Sequence, residues 1–557
     1  MRRLVLMSCA TVMLLCGAST WAQDTPGSAA PVTPAAAPAA SAAAPAPADK
    51  PKTVEERLAA VEALAKAAND SVSENALNTG DNAWVLVSSA LVLLMTLPGL
   101  ALFYGGLVRK RNVLSTMMQS LMIACLVSLL WAFIGYSIAF GPGATETVDK
   151  KDDQGHVLKD DKGVVQTETK ALPSASFWGG FSYACLDHVI TDSSRTKVEL
   201  STDKDGKVSI KTPPGALVPG AYAPYCASIN HGTYMLFQLM FAIITPALIC
   251  GAYAERMKFS AMCLFSVLWL ILVYCPLAHM VWGENGYFNW NFPAVKSPAF
   301  DFAGGTVVHI SSGVAALMTA LFLGKRKGYP HTPMMPHNLT LSFTGAMLLW
   351  VGWFGFNAGS ALQANGLAVI AFANTHFATA AAAIGWPLAE WIFRGKPTVL
   401  GAISGAIAGL VAVTPASGFV TPMGAIALGF VAGVLCFTSA GVMKHRLGYD
   451  DALDAFGVHA IGGMWGAIAT GIFFSIDTNP AIQSANPDLY ISIVNGTTSV
   501  VLGQAKAVLV AVILSAVGSS IILAAIKYTL GLRVTKEQED EGLDLSQHGE
   551  EGYVLSG

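Results

Sequence analysis

Long apolar stretches recur along most of this sequence, and they constrain its fold more than any other feature. Each has about 18 residues or more, the length that a helix needs to cross the hydrocarbon core of a bilayer. Only 12% of the 557 residues are charged. We therefore predict an all-α polytopic membrane protein with eleven transmembrane helices, near residues 84–106, 114–140, 233–252, 259–282, 302–324, 338–360, 367–393, 398–415, 422–443, 453–474 and 505–531.

The two ends of the chain differ in composition from the membrane domain, which we place at residues 81–531. Two arginines, an apolar core and a small-residue site ending at Ala22 predict a signal peptide over residues 1–22. Residues 23–52 are rich in Ala and Pro, which predicts a disordered segment. Residues 53–80 predict a periplasmic, amphipathic lead-in, and residues 532–557 form an acidic tail.

Clusters of Lys and Arg follow every odd-numbered apolar stretch, including Arg109–Arg111 and Lys325–Lys327. Basic residues accumulate on the cytoplasmic side of a membrane. The pattern therefore predicts a periplasmic N-terminus and a cytoplasmic C-terminus in the inner (plasma) membrane, in agreement with the signal peptide. The acidic tail would then lie beside these basic loops, which can attract it.

Two of the apolar stretches begin with the same spaced pair of residues. Asp301 and His309 are eight residues apart at the start of the fifth stretch, as are Asp451 and His459 at the start of the tenth. An offset of five spans reverses direction in the membrane, so we predict two five-helix inverted repeats plus a final helix. At about 1.5 Å per residue, both imidazoles lie near the middle of a core roughly 30 Å thick.

A histidine at that depth is costly, and its position allows three interpretations. It can form a structural hydrogen bond to a neighbouring carbonyl. Two histidines can also ligate a haem, although each one here sits in its own half-repeat with no second pair. The third interpretation is a path for protons or substrate, and the inverted equivalence of His309 and His459 favours it.

At this point the motifs carry a resemblance to a known family. The sequence resembles the ammonium transporter family (Amt/Mep/Rh), and its pattern is most similar to the bacterial Amt channels. The matching segments are LPGLALFYGGLVRKRNVLS, GAYAERMKFSA, AHMVWG, DFAGGTVVHI, WFGFNAGSA, FRGKPTVLGAISGAIAGLVAVTPASGF, DAFGVHAIGG and the tail GLRVTKEQEDEGLDLSQHGE.

This resemblance implies a homotrimer in which each subunit has its own pore, lined by the twin histidines His309 and His459. It implies that ammonium or methylammonium is captured at an outer vestibule by Trp282, Phe241 and Ser360.

It further implies that Phe241 and Phe356 gate the pore, and that Asp301 shapes the vestibule structurally. Tails like this one are expected to couple subunits and to help bind a cytosolic PII-type regulatory protein.

The loop after the second span is unusually long, about 90 residues from 141 to 230. Its segment VELSTDKDGKVSIK alternates around Asp205 and Gly206, which predicts a β-hairpin. Cys185 and Cys226 bracket that hairpin in an oxidising compartment, so we predict a disulfide between them.

No nucleotide-binding, zinc-finger or nucleophile-elbow motif is present, so we expect no enzyme activity, no cofactor, no metal and no nucleic-acid partner. Two functions remain: an ammonium transporter in the lipid bilayer, or an ammonium sensor on the same fold. A sensor would normally carry a signalling domain, and the 26 residues after Gly531 favour transport.

Overall fold

The computed structural model describes residues 77–151, 156–159, 165–190, 200–202, 208–210, 222–223, 225–292, 295 and 297–553. The predicted signal peptide, the Ala/Pro-rich segment and residues 53–76 of the predicted lead-in lie outside the described residues. The first helix begins at Thr79, two residues before the predicted start of the membrane domain.

The described residues are mostly helical. Nine of their helices are long and apolar enough to cross a membrane, and two shorter apolar helices, α8 and α10, occupy the remaining two predicted spans. The helices are α1 (Thr79–Leu107), α2 (Lys110–Phe140), α3 (His231–Tyr253), α4 (Phe259–Trp282), α5 (Gly305–Leu323), α6 (Leu339–Gly359), α7 (Gly366–Arg394), α8 (Val399–Val413), α9 (Pro422–Leu447), α10 (Phe456–Ile472), α11 (Ala481–Ala485), α12 (Pro487–Val494), α13 (Val500–Thr529), α14 (Lys536–Glu541) and α15 (Leu543–His548).

The helices differ in how deeply they are buried. In α3, 94% of the most apolar stretch is buried, against 33% in α13. A helix that is apolar all round and buried belongs to the core, whereas an apolar exposed face suits contact with lipid. Helices α3 and α5 therefore form the centre, and α13 lies at the rim against α5, α4 and α10.

Charged side chains bring the ends of α1, α3, α5 and α9 together, and we call this the inner end of the molecule. Glu255 pairs with Arg109 at 2.9 Å and with Arg326 at 3.1 Å, and Arg326 also pairs with Asp450 at 2.8 Å. Burial raises the pKa of the Glu255 carboxyl, but Arg326 and Arg109 outweigh it and hold that pKa below its usual value. The basic clusters after odd-numbered spans thus meet at one end.

The acidic tail lies against this inner end. The backbone N–H of Lys327 donates to Glu539 at 2.8 Å, and the N–H of Leu543 donates to the Asn112 side chain at 2.8 Å. Asp544 accepts from the N–H of Ser115 at 2.7 Å. The tail therefore contacts both basic loops, through backbone donors as well as through charge.

The opposite, outer end carries the long loop after α2. Its described strands form three antiparallel pairs: β1 (Thr145–Asp149) with β2 (Thr167–Ala171), β3 (Leu200–Thr202) with β4 (Val208–Ile210), and β5 (Tyr222–Ala223) with β6 (Cys226–Asn230). Strands β3 and β4 occupy the predicted hairpin, whose turn at Asp205 and Gly206 lies outside the described residues. The other two pairs were not predicted.

The predicted disulfide between Cys185 and Cys226 is wrong in this structure, where both are free thiols. The Cys226 Sγ contacts other groups than Cys185. It lies 3.3 Å from the Ser228 hydroxyl and 3.9 Å from the carbonyl oxygen of Leu362, in the loop after α6. Cys185 is exposed in the short turn Ala184–Leu186. Strand pairing of β6 thus turns its sulfur toward the membrane domain.

Candidate functional site

A row of aromatic rings leads from the outer end into the centre of the molecule. It runs Trp282, Phe241, Phe356, His309 and His459, with successive ring-centroid distances of 5.9, 4.3, 6.0 and 5.4 Å. These five residues come from α4, α3, α6, α5 and α10. The structure therefore brings together residues that the sequence separates by more than 200 positions.

Trp282 and Ser360 lie at the two helix ends that border this row. The Trp282 indole N–H donates to the carbonyl oxygen of Asp301 at 2.9 Å, which holds the ring in place. The Ser360 hydroxyl donates to the carbonyl oxygen of Phe356 at 2.8 Å. Because that bond uses the hydroxyl proton, the Ser360 oxygen keeps lone pairs that can accept an N–H from a ligand.

Phe241 and Phe356 form the narrowest aromatic contact in the row. Their planes are tilted by 38°, and the side chains are 1% and 0% exposed. Phe237, one helical turn before Phe241, packs edge-on against it at 5.0 Å. The two rings therefore lie in close contact between Trp282 and the histidines, at the position where a gate is predicted.

The twin histidines lie beyond these two rings and are almost fully buried, with exposures of 1% for His309 and 4% for His459. Both ring nitrogens of His309 and the Nδ1 of His459 lack a hydrogen-bond partner among the described residues. Buried polar atoms are normally paired, so unpaired ones at a cavity or path call for a ligand. This removes the structural hydrogen bond as an explanation for His309.

Local backbone geometry is the same at both histidines. Each lies in a π-helical turn, Gly305–Ile310 or Phe456–Ala460, that begins its transmembrane helix. Such turns are rare and occur frequently at functional sites.

Glycines allow α5 and α10 to cross closely. A Cβ atom on Gly313 would lie 2.2 Å from the backbone nitrogen of Ala460, and one on Gly463 would lie 3.1 Å from atoms of His309 and Ile310. Gly313 is four residues after His309 and meets Ala460, the neighbour of His459. Gly463 is four residues after His459 and meets His309 itself. This exchange of offsets fits two helices related by a two-fold axis, and the contact leaves no room for a porphyrin between the imidazoles.

Asp301 accepts four hydrogen bonds at the start of α5. Its carboxylate binds the backbone N–H groups of Gly304, Gly305, Thr306 and Val307 at 2.6 to 3.1 Å. These are the donors that a helix start leaves free. These four contacts are all with backbone, and the structural role of Asp301 stays a prediction.

A cavity of about 380 Å³ continues the path on the inner side. His459 lines it together with Tyr329, Glu390, Lys444 and Asp454. The site therefore has two unlike mouths: a tight aromatic one at the outer end, and a wider one with charged side chains at the inner end.

Two features of the site were not predicted. Trp353 packs 5.4 Å from the ring of His309, and its indole N–H donates to Thr414 at 2.9 Å. Gly313 and Gly463 form the close crossing described above. The glycines have a sequence signal, since each stands four residues after its histidine, whereas Trp353 has none apart from preceding Phe356 by three residues.

Comparisons with known proteins identify the family of this chain. The Ammonium Transporter Family matches residues 83–183 and 220–553. An ammonium transporter of Bacillus subtilis (strain 168) is 43% identical over 477 residues, which are 86% of this chain and 99% of that protein. An ammonium transporter of Aquifex aeolicus (strain VF5) is 41% identical over 483 residues, or 87% and 95%.

Solved structures also resemble this fold. The crystal structure of Saccharomyces cerevisiae Mep2 is 30% identical with a TM-score of 0.65, and the match covers 83% of this chain and 92% of that one. Candida albicans Mep2 is 28% identical with a TM-score of 0.66, covering 86% and 94%.

The family match excludes residues 184–219, which lie inside the long outer loop, and includes all five residues of the aromatic row. The apolar helices identify a multi-pass membrane protein. On this match and these relatives, the chain belongs to the Ammonium Transporter Family.

Proposed function

We propose that this protein recruits ammonium at the outer aromatic vestibule, removes a proton and conducts ammonia past the twin histidines. The observation that carries this proposal is the position of three buried imidazole nitrogens, without a partner among the described residues, between the Phe241–Phe356 rings and the inner cavity. The function rests on that arrangement and on the related ammonium transporters.

The charge and small size of the ammonium ion allow it to bind at the aromatic rings. A small cation is attracted to the face of an aromatic ring by roughly 2 kcal/mol or more once it is desolvated. Trp282 and Phe241 supply such rings, and the Ser360 oxygen supplies an acceptor for one N–H bond. The vestibule therefore attracts ammonium through the faces of two rings and one acceptor oxygen.

Conduction requires the loss of a proton. The buried path beyond Phe356 has few polar partners, so carrying an intact cation through it would incur a large desolvation cost. Neutral ammonia can pass and hydrogen-bond to the imidazoles of His309 and His459. Potassium has no proton to lose, which explains selectivity against it. If the imidazoles also relay the released proton, transport is electrogenic.

Assembly and regulation belong to the same proposal. We expect eleven transmembrane helices, a homotrimer in the inner membrane, a cleaved signal peptide, a periplasmic N-terminus and a cytoplasmic tail that works with a PII-type protein. Glu539, Leu543 and Asp544 of the tail bond to the inner loops. These contacts support a tail whose movement can alter the membrane domain.

Truncation after Arg533 tests the regulatory part. It removes those three contacts and should change uptake, its inhibition by a cognate PII protein, or both. Full-length protein measured in parallel is the control. Uptake and inhibition that both stay unchanged would refute a regulatory tail.

An ammonium sensor on the same fold is the alternative function. Methylammonium uptake in a strain without its own ammonium carriers separates the two, because a sensor need not conduct. We expect uptake above the empty-vector level that ammonium inhibits and potassium does not. Correctly inserted protein without any uptake would favour the sensor.

A further inference from the structure

The part of the outer loop next to α3 bonds to both segments that carry the proposed ammonium-binding residues. We call this part the outer brace and define it as Tyr225 with strand β6 (Cys226–Asn230). It reaches the loop after α4 on one side and the loop after α6 on the other.

On the first side, the Tyr225 hydroxyl forms two hydrogen bonds. It donates to the carbonyl oxygen of Phe140, at the end of α2, at 2.8 Å. It accepts from the backbone N–H of Glu284 at 3.1 Å. Glu284 is two residues after Trp282, so this hydroxyl ties the end of the tryptophan helix to the end of α2.

On the second side, β6 bonds the loop that follows Ser360. The Gln363 side-chain amide donates to the Ser228 hydroxyl at 3.3 Å, and the Cys226 thiol approaches the carbonyl oxygen of Leu362 at 3.9 Å. Leu362, two residues after Ser360, has a positive φ of 58°. A non-glycine residue in that region is strained and persists only when neighbours hold it.

The brace is itself anchored to the membrane domain. The Tyr225 ring stacks on Tyr234 of α3 with centroids 4.9 Å apart, and it packs edge-on against Phe140 at 5.6 Å. The Asn78 N–H, just before α1, donates to the Ser228 carbonyl oxygen at 2.8 Å. The brace is therefore held against α1, α2 and α3 while it bonds to both loops.

We propose that the outer brace sets the spacing between Trp282 and Ser360, and thereby the affinity of the vestibule for ammonium. Tyr225 is its main positioning residue, because one hydroxyl joins the α2 and α4 ends. The proposal rests on the proposed function and adds a determinant of affinity from the long outer loop.

The test is Tyr225→Phe in the full chain, assayed by methylammonium uptake. The variant keeps the ring contacts with Phe140, Tyr234 and Phe292 and removes only the hydroxyl. The loss of a hydrogen-bonded brace should raise KM by about threefold to tenfold while the maximal rate per folded protein changes little. Ser228→Ala, on the other side, should raise KM by a smaller factor.

Tyr287→Phe is the matched control, since it also removes one outer hydroxyl, and that hydroxyl makes no hydrogen bond among the described residues. Its KM should equal that of the wild type. An unchanged KM in Tyr225→Phe, or a fall in maximal rate alone, would overturn the proposal. Wild-type protein without any uptake would instead refute the proposed function, so the two failures are distinguishable.

Discussion

The starts of α5 and α10 carry the same motif but are held in different ways. Both place an aspartate eight residues before a histidine in a π-helical turn. At α5, Asp301 accepts four backbone N–H bonds, whereas the Asp451 carboxylate at α10 accepts from two backbone groups, the Phe456 N–H at 2.8 Å and that of Ala455. The α10 start has a cation instead: the Lys444 ammonium donates to the Asp451 carbonyl oxygen at 2.9 Å.

This difference separates two tasks that one motif performs. The repeated motif places two imidazoles side by side. This task requires the same Asp–His spacing at both helix starts. The surroundings of the two starts differ: aromatic rings and a carboxylate bonded by backbone lie at the α5 start, and a cavity lined by charged side chains lies at the α10 start. Two copies of one motif can thus have unlike surroundings at the two ends of the molecule.

The largest effect on stability should come from removing the two aspartates. Asp301→Ala leaves four buried N–H groups without their acceptor and should cost about 3 to 5 kcal/mol, whereas Asp451→Ala should cost about 1 to 2 kcal/mol. Thermal unfolding of both variants in one detergent measures the difference. Equal losses would show that the two helix starts are held alike.

The second-largest loss of stability should come from substitutions at the crossing of α5 and α10. A methyl group at Gly313 meets backbone at 2.2 Å and should cost about 1 to 3 kcal/mol, whereas Gly463→Ala, at 3.1 Å, should cost less. Gly366→Ala is the control, because nothing lies within 4 Å of its added Cβ. The same unfolding assay ranks the three variants. A Gly313→Ala protein as stable as the control would contradict the close crossing.

The smallest loss of stability should come from removing Lys444, the cation that contacts the start of α10 and has no counterpart at the start of α5. Lys444→Met removes the donor to Asp451 and the ion pair with Asp454, and should cost about 1 kcal/mol. Lys396→Met, at an exposed position in the loop after α7, should leave the melting temperature unchanged. A loss as large as that of Asp301→Ala would mean that Lys444, not the backbone, organises the inner mouth.

Much of the membrane domain was predictable because its signals are strong and local. Apolar length located the helices, and basic residues showed which ends meet. The Asp–His spacing in two stretches predicted a paired site, and the structure places both imidazoles together. The aromatic vestibule came from the resemblance, and the five ring residues it named lie in one row in the structure, with Ser360 beside it.

The outer loop was less predictable, since its contacts are between distant residues. The alternation in VELSTDKDGKVSIK indicated β3 and β4, but the short strands β5 and β6 have no clear pattern. The proposed disulfide failed because cysteine spacing does not tell where a sulfur points, and Cys226 faces Leu362. The tail's charge predicted attraction to basic loops, but not the backbone bonds at Asn112 and Ser115 that seat it.

The twin-histidine path is the central claim, and flux through purified protein tests it most directly. Reconstituted vesicles are exposed to an ammonium gradient and then to a potassium gradient, for the wild type, His309→Ala and His459→Ala. His376→Ala, an exposed histidine of α7 outside the pore, is the control. We predict that each pore variant either loses ammonium flux or admits potassium, while His376→Ala matches the wild type. Wild-type flux and potassium exclusion in both pore variants would contradict the account.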